Sequence, residues 1–284
     1  MMNFMPSSPS AFNLLLPLLL TGLLLSTSSA ARERPLWELG VGVATLNAPY
    51  YRGSSSSRSY AIPYPYITYR GEYLNVDREG IRGWLYRSDQ LNLDLSLAAG
   101  LPVPNGQNGP RSGMNKLDPT VEIGPSMEYR LWRSQDRRQN AWLHLPLRSA
   151  FVVANPATHQ GWVFAPYLEW RRHDFGRSGW TNSIAIGPLF SDSRYNNYFY
   201  GVVPEYSTAS RPGYEASNGY SGSRLTLMSG KSFDQLWLSA FARFDTLKGA
   251  TFSDSPLVES RSYHLIGITL TWIFSRSEQT VRVP

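Results

Sequence analysis

Four histidines, His144, His159, His173 and His264, are the first place to look for chemistry in this chain. Imidazole titrates near neutrality, so it can accept and return a proton. A hydrolase built on it needs a hydroxyl within hydrogen-bond reach and a third group that orients the ring. No His-x-Ser sequence puts the two on one strand face. A triad assembled across strands would draw on His144 or His173, with Asp94, Glu122, Glu128 or Glu169 as orienting carboxylates. The same side chains also suit a paired polar interior, which needs no catalysis, and that reading is the stronger. Metal chemistry has little to stand on. There is no HExxH, no DxDxDG loop and no His-x-His. His173 and Asp174 are adjacent, so on a strand they point to opposite faces. Gly40-x-Gly42 lacks the third glycine and the helix of a nucleotide loop. Arg133, Arg137 and Arg138 share one turn with Gln135 and Asp136, where a solvated turn outweighs a lipid-phosphate site. The expectation is a chain with no cofactor and no catalytic or metal site.

The elements that position these residues read as strands. From Leu91 to Leu101 the odd positions are Leu91, Leu93, Leu95, Leu97, Ala99 and Leu101, with Asn92, Asp94, Ser96, Ala98 and Gly100 between them. A period of two places the two sets on opposite faces of a strand, whereas a helix would scatter the leucines. The pattern recurs over 36–46, 119–132, 141–153, 162–173 and 234–246. The full set of expected strands adds 60–70, 73–86, 90–101, 180–190, 197–206, 222–230 and 261–274, with a split near Arg78-Glu79-Gly80 as the alternative for 73–86 and a partial loop as the alternative for 197–206. Several run well past the five or six residues usual in soluble sheets and match what a membrane crossing requires. Trp37, Trp142, Trp162 and Trp180 open strands, and Trp132, Trp170 and Trp272 lie near strand ends, as in interfacial aromatic belts. The predicted fold is therefore all-β: a single transmembrane antiparallel up-and-down β-barrel of about 12 strands, with ten and fourteen as the neighbouring even counts. Its lumen would be lined by Asp94, Glu122, Glu128, Arg130, His144, Arg148, Glu169, Arg171, His173, Arg243 and Asp245. Pro63, Pro65, Pro125, Pro146, Pro166 and Pro188 fall inside strands and should bend or bulge them. The long connections are 47–59, 102–118, 207–221 and 247–260. An up-and-down count puts 102–118 on the opposite side from the rest, which marks one strand boundary as misplaced.

The N-terminus places the protein outside the cytoplasm. Leu14–Leu25 is a short apolar run followed by Ser26-Thr27-Ser28-Ser29-Ala30-Ala31, the small residues of a signal-peptidase site. The run is too short to span a bilayer. Residues 1–30 are expected to be a cleaved signal peptide, 31–274 the barrel and 275–284 a periplasmic tail. There are no cysteines, which excludes a disulfide framework. The net charge is +6, and the only lysines are Lys116, Lys231 and Lys248, so arginine carries the excess. In an exported chain this argues against nucleic acid. It favours lipopolysaccharide and other outer-membrane lipid, or peptidoglycan carboxylates, as anions, beside the plain reading of a solubilising surface.

Particular motifs carry a family resemblance. Pro49-Tyr50-Tyr51-Arg52-Gly53-Ser54 is followed by Ile62-Pro63-Tyr64 and Tyr69-Arg70-Gly71. Then come Gly113-Met114, Glu122-Ile123-Gly124, Tyr200-Gly201-Val202-Val203-Pro204-Glu205, Tyr214 to Gly219, and Ser255-Pro256-Leu257-Val258. In this order they resemble the MipA/OmpV family, named for the MltA-interacting protein, over nearly the whole chain after the signal peptide. The resemblance implies an outer-membrane barrel of a Gram-negative bacterium with no catalytic chemistry. It further implies, for some members, a scaffold that links a lytic transglycosylase to a penicillin-binding peptidoglycan synthase. The alternatives are a porin-like diffusion channel or an adhesin, and, less favoured, a lipid-modifying barrel enzyme.

Overall fold

The computed structural model describes residues 32–71, 74–77, 80–83, 85–104, 109–154 and 156–283. The expected signal peptide, 1–30, lies outside them. The strands in chain order are β1 (Arg32–Pro35), β2 (Trp37–Pro49), β3 (Ser57–Arg70), β4 (Leu74–Asp77), β5 (Gly80–Gly83), β6 (Tyr86–Arg87), β7 (Leu91–Gly100) and β8 (Thr120–Arg133). They continue as β9 (Gln139–Val152), β10 (Thr158–Phe164), β11 (Tyr167–Phe175), β12 (Trp180–Ser191), β13 (Gly219–Phe233), β14 (Leu236–Thr246), β15 (Ser262–Arg276) and β16 (Thr280–Val283). One helix, α1 (Ser193–Tyr200), follows β12 directly. β1 and β16 form a separate two-stranded sheet.

All other strands belong to one antiparallel ladder, in the order β5-β4-β3-β2-β15-β14-β13-β12-β10-β9-β8-β7-β6, with β11 between β12 and β9. The two ends of this ladder, β5 and β6, share no backbone pairing among the described residues. The expected closed barrel is therefore corrected to an open-ended sheet. Its cause is local. Residues 73–86, read from sequence as one long strand, contain the short hairpin β4–β5, in which Asp77 pairs with Gly80, and then the two-residue β6. Folding back inside that segment leaves only short strands at the ladder's ends. It also removes the misplaced boundary, because the hairpin contributes an extra reversal and returns 102–118 to the same end as the other long connections.

Two further expectations change. Residues 197–206 are not a strand. Asp192 caps α1, its carboxylate accepting from the Tyr195 amide at 2.9 Å, and a 3-10 turn, Pro204–Tyr206, comes after. Tyr195 and Phe199, four apart, meet on one side of the helix at 5.2 Å between ring centroids. The strand read at 162–173 is interrupted at Ala165-Pro166, between β10 and β11. Opposite the break, a side chain on Gly187 would sit 2.0 Å from the Pro166 carbonyl, so only glycine admits that approach. Pro188 also lies at a register shift.

Elsewhere the alternation holds, with its polarity inverted relative to a soluble sheet. In β15, Ile266, Ile268, Leu270 and Trp272 are each 51% exposed, while Leu265, Thr271 and Ile273 on the other face are buried. In β2, Leu39, Val41 and Val43 are exposed and Glu38 is buried. In β8, Val121 and Ile123 are exposed while Glu122, Ser126 and Glu128 are buried. One face of the sheet is thus greasy and open, and the other is polar and covered. A small apolar cluster of Val163, Ala165 and Leu189 lies against Tyr195, but the largest apolar core is not in either face. It lies in the connections at one end, where Tyr51, Val103, Leu117, Tyr200, Ala216, Leu247, Ala250 and Phe252 pack together. Residues from 50–56, 101–104, 109–119, 192–218 and 247–261 thereby form a single cap.

Candidate functional site

The polar face brings together most of the residues singled out from sequence, and it does so as charge pairs. Arg148, on β9, donates from Nε to Glu122 Oε2 on β8 at 2.9 Å and from Nη1 to Ser96 Oγ on β7 at 3.3 Å. The other Glu122 oxygen accepts from the Tyr195 hydroxyl of α1 at 2.9 Å, which ties the helix to this face. His144 lies between two carboxylates, its Nδ1 3.2 Å from Glu128 Oε1 and its Nε2 3.3 Å from Glu169 Oε2. Its ring stacks on Tyr167 at 4.3 Å. Arg171 grips Glu169 with Nε and Nη2 at 3.0–3.2 Å. Asp245 takes Arg224 Nε at 2.9 Å and Arg243 Nε at 3.4 Å, with its carboxylate fully shielded from solvent. Asp94 is buried on the same face. Arg130 and His173 stand apart: Arg130 lies over the Trp142 ring at 5.5 Å, and His173 Nδ1 is 3.4 Å from Thr181 Oγ1.

Several members of this network were not read from the sequence. Glu38 is buried against Arg70 Nη2 at 2.7 Å and Arg276 Nε at 3.6 Å. Arg52, from the cap, donates to the Tyr263 hydroxyl at 3.0 Å and to the Ser221 carbonyl at 2.6 Å. Arg224 was legible: Asp234-Gln235 joins β13 to β14, and counting pairs back from that turn sets Arg224 opposite Asp245. Ser262 and His264 share a strand face as a Ser-x-His, but both are exposed on the apolar side.

This arrangement disfavours acid–base chemistry. Both nitrogens of His144 face carboxylates, so neither is directed at a hydroxyl that it could activate. Ser191 and Ser221 form a close hydroxyl pair with Asn196, and the group is buried beneath α1 with no histidine in it. Among the described residues, no group of three or more His, Cys, Asp or Glu side chains is placed to hold a metal.

The cap is braced by arginines that bond backbone carbonyls. Arg111 donates to Phe199 O at 3.1 Å and Asn115 O at 3.4 Å. Arg211 donates to Tyr206 O at 2.9 Å, Pro110 O at 2.8 Å and Ser112 O at 2.7 Å. Tyr51 donates to Leu257 O at 2.7 Å, and Tyr200 stacks on Phe252 at 3.7 Å. Burial pushes the Tyr51 and Tyr200 phenols above their ordinary range, so both remain neutral. A groove of about 860 Å³ opens in the cap, with Met114, Val202, Tyr206 and Tyr214 among its walls.

A sheet with one exposed apolar face and a charge-paired polar face, under a packed loop cap, defines a class: a β-protein whose outer surface is made for lipid. The chain belongs to the family described as MltA-interacting protein MipA, whose family model matches residues 39–274. It is 31% identical over 213 residues to the outer membrane protein OmpV of Vibrio cholerae serotype O1, covering 72% of this chain and 76% of that one. It is 25% identical to the outer membrane protein Omp26La of Vibrio anguillarum over the same shares. The protein is an outer-membrane protein. Among solved structures, a bacterial polysaccharide outer membrane secretin aligns at TM-score 0.38 and 11% identity, over 85% of this chain and 99% of that one. A COG4313 outer membrane channel from Pseudomonas putida F1 aligns at 0.37 and 11%, over 87% and 98%.

Proposed function

We propose that this protein is a non-catalytic scaffold of the outer membrane, presenting fixed surfaces to other components of the cell envelope. One observation carries the reading: the charged groups of the polar face are spent on one another, and α1 is bonded onto that face through Tyr195 and Glu122. A channel needs charges free to meet a solute, and an enzyme needs a base free to meet a substrate. Asp94, Glu122, Glu128, His144, Arg148, Glu169, Arg171, Arg243 and Asp245 act here as a structural network that fixes strand register, with Arg130 and His173 at its margin. Function then falls to the exposed ends of the sheet.

The family's description supports a lytic transglycosylase as one partner, and a penicillin-binding synthase is proposed as a second. The test is a pulldown with the tagged full chain from cross-linked envelopes, run beside planar-bilayer conductance. Recovery of a lytic transglycosylase with no conductance is the expected result. Steady conductance with no such partner would replace the scaffold by a diffusion channel.

A further inference from the structure

At the end of the sheet opposite the cap, the cations are arranged differently. Arg130, Arg133, Arg137, Arg172, Arg177 and Lys231 lie on or beside the connections 134–138 and 176–179 and the end of β13. None of them makes an ion pair among the described residues. The two carboxylates beside Arg172 are already engaged. Asp174 meets Arg138 at 3.4 Å and accepts from the Gly179 amide at 2.9 Å. Asp136 accepts from Ser134 Oγ at 2.5 Å and from the Arg138 amide at 3.1 Å.

Two of the six stand on the apolar face itself. Alternation puts Arg172 with Leu168 on β11 and Lys231 with Leu227 on β13, and both leucines are exposed. In register, Arg172 pairs with Asn182, and Asn182 with Ser229, so Lys231 lies two strands away and two residues nearer the sheet's end. Between them stands Trp180, paired with Phe175. The Arg172 guanidinium lies 4.9 Å from the Phe175 ring centroid, and Lys231 Nζ lies 4.8 Å from that of Phe233. Trp180 and Phe233 meet edge to face at 6.4 Å. Phe175 and Phe233 are each about half exposed.

We infer that Arg172 and Lys231, on the platform of Phe175, Trp180 and Phe233, bind the phosphate of an anionic phospholipid in the leaflet at this end of the sheet. Aromatic side chains at the end of a lipid-facing surface mark the depth where tails give way to headgroups. Unpaired cations at that depth find their counter-ion on lipid. Arginine grips a phosphate oxygen pair in a fork, and lysine adds a point charge. Exposed faces of Phe175 and Phe233 remain for the glycerol and upper acyl chain. The inference does not depend on the scaffold reading. It requires only that the apolar face meets lipid.

The test is native mass spectrometry of the full chain released from zwitterionic micelles, after titration with phosphatidylglycerol. The wild type is expected to retain this lipid over phosphatidylcholine. Each cation removed should weaken retention about fivefold, so Arg172→Gln with Lys231→Gln should lose about twenty-five-fold. Arg172→Lys should keep most of it. Lys248→Gln with Arg261→Gln, an equal charge change in the cap, should lose nothing. If the double variant fails to fold, Lys231→Gln alone carries the fivefold test. Undiminished retention in the variants overturns the inference. So does displacement of the lipid by inorganic phosphate or by soluble peptidoglycan fragments at equal concentration, since the site would then belong to a free phosphate or to peptide carboxylates.

Discussion

Arg211 and Arg172 are the same residue put to opposite uses at opposite ends of one sheet. Arg211 turns inward and supplies three backbone carbonyls of the cap connections. Arg172 turns outward, lies on a phenylalanine ring and makes no hydrogen bond or ion pair from its side chain among the described residues. The contrast extends beyond these two. In the cap, Arg52 and Arg111 also donate to carbonyls, and a buried carbonyl without a donor costs about 1–3 kcal/mol. At the far end the connections are short and have little interior: Arg138 meets Asp174 and Arg276 donates to the Asp234 carbonyl, while Arg133, Arg137, Arg172 and Arg177 make no ion pair among the described residues. The lesson is that arginine content is not a property of this surface as a whole: one set holds loops together and the other is left for an outside anion.

The comparison breaks most visibly at the cap's core. Phe252 is fully buried and stacked on Tyr200. Phe252→Ala should cost about 3–5 kcal/mol, read as a lowered urea midpoint for unfolding in micelles. A loss under 1 kcal/mol would mean that the cap is not a cooperative part of the fold. Arg211→Gln should cost about 2 kcal/mol, since the shorter amide cannot reach three carbonyls. Arg177→Gln in the far connection should stay within about 0.5 kcal/mol, as surface changes do. Equal losses at the two positions would erase the distinction between bracing and free arginines. Tyr195→Phe removes a single hydroxyl donor to Glu122 and should cost about 1 kcal/mol. An unchanged urea midpoint in micelles would show that this bond does not hold α1 on the polar face.

Legibility in the sequence followed the range of the interactions. The strands were readable because alternation is local: Leu91–Gly100, Thr120–Arg133 and Ser262–Arg276 lie within two residues of their expected bounds. Alternation also sets Glu122, Glu128, His144, Glu169 and Asp245 opposite the apolar positions of their strands, and all five are buried. Their partners were readable only where a tight turn fixed the register, as for Arg224 and Asp245. Glu38 with Arg70 and Arg276 was not, because Arg276 comes from the far end of the chain. The helix had a signal in Asp192 and in aromatics at 195, 198 and 199, which suit a helical period better than a strand's. Barrel closure failed on residues 73–86, where Asp77 pairs with Gly80 inside an otherwise continuous pattern. The cap carried no periodic signal, since its core gathers single residues from four connections.

The smallest effect concerns the backbone. Positive φ falls on glycine in the cap, at Gly53 (97°), Gly113 (78°) and Gly249 (76°). The four non-glycine residues at positive φ among the described residues are Arg137 (57°), Asp174 (53°), Arg177 (59°) and Asp234 (49°), all at the far end, where Asp174 closes β11, the other three lie in connections, and Gly176 (61°) and Gly179 (78°) share the conformation. A side chain in the left-handed region is disfavoured by about 1 kcal/mol or more relative to glycine. Arg137 adopts it to close a turn in which its amide donates to Ser134 O at 3.0 Å. Arg137→Gly should therefore stabilise the protein by about 0.5 kcal/mol, the relief of strain being offset in part by the freer unfolded chain. The converse change, Gly53→Ala, should destabilise, because its new Cβ would be strained and would press on Leu247 Cδ1 at 3.0 Å. The measurement is the shift in urea midpoint for each variant in zwitterionic micelles and again with phosphatidylglycerol added. A gain in both media means that Arg137 is tolerated strain with no ligand. A gain in zwitterionic micelles that turns to a loss with phosphatidylglycerol means that its guanidinium joins Arg172 and Lys231 on the lipid. A loss in both would show that Arg137 braces its own turn, and the contrast between the two ends would fail at this residue.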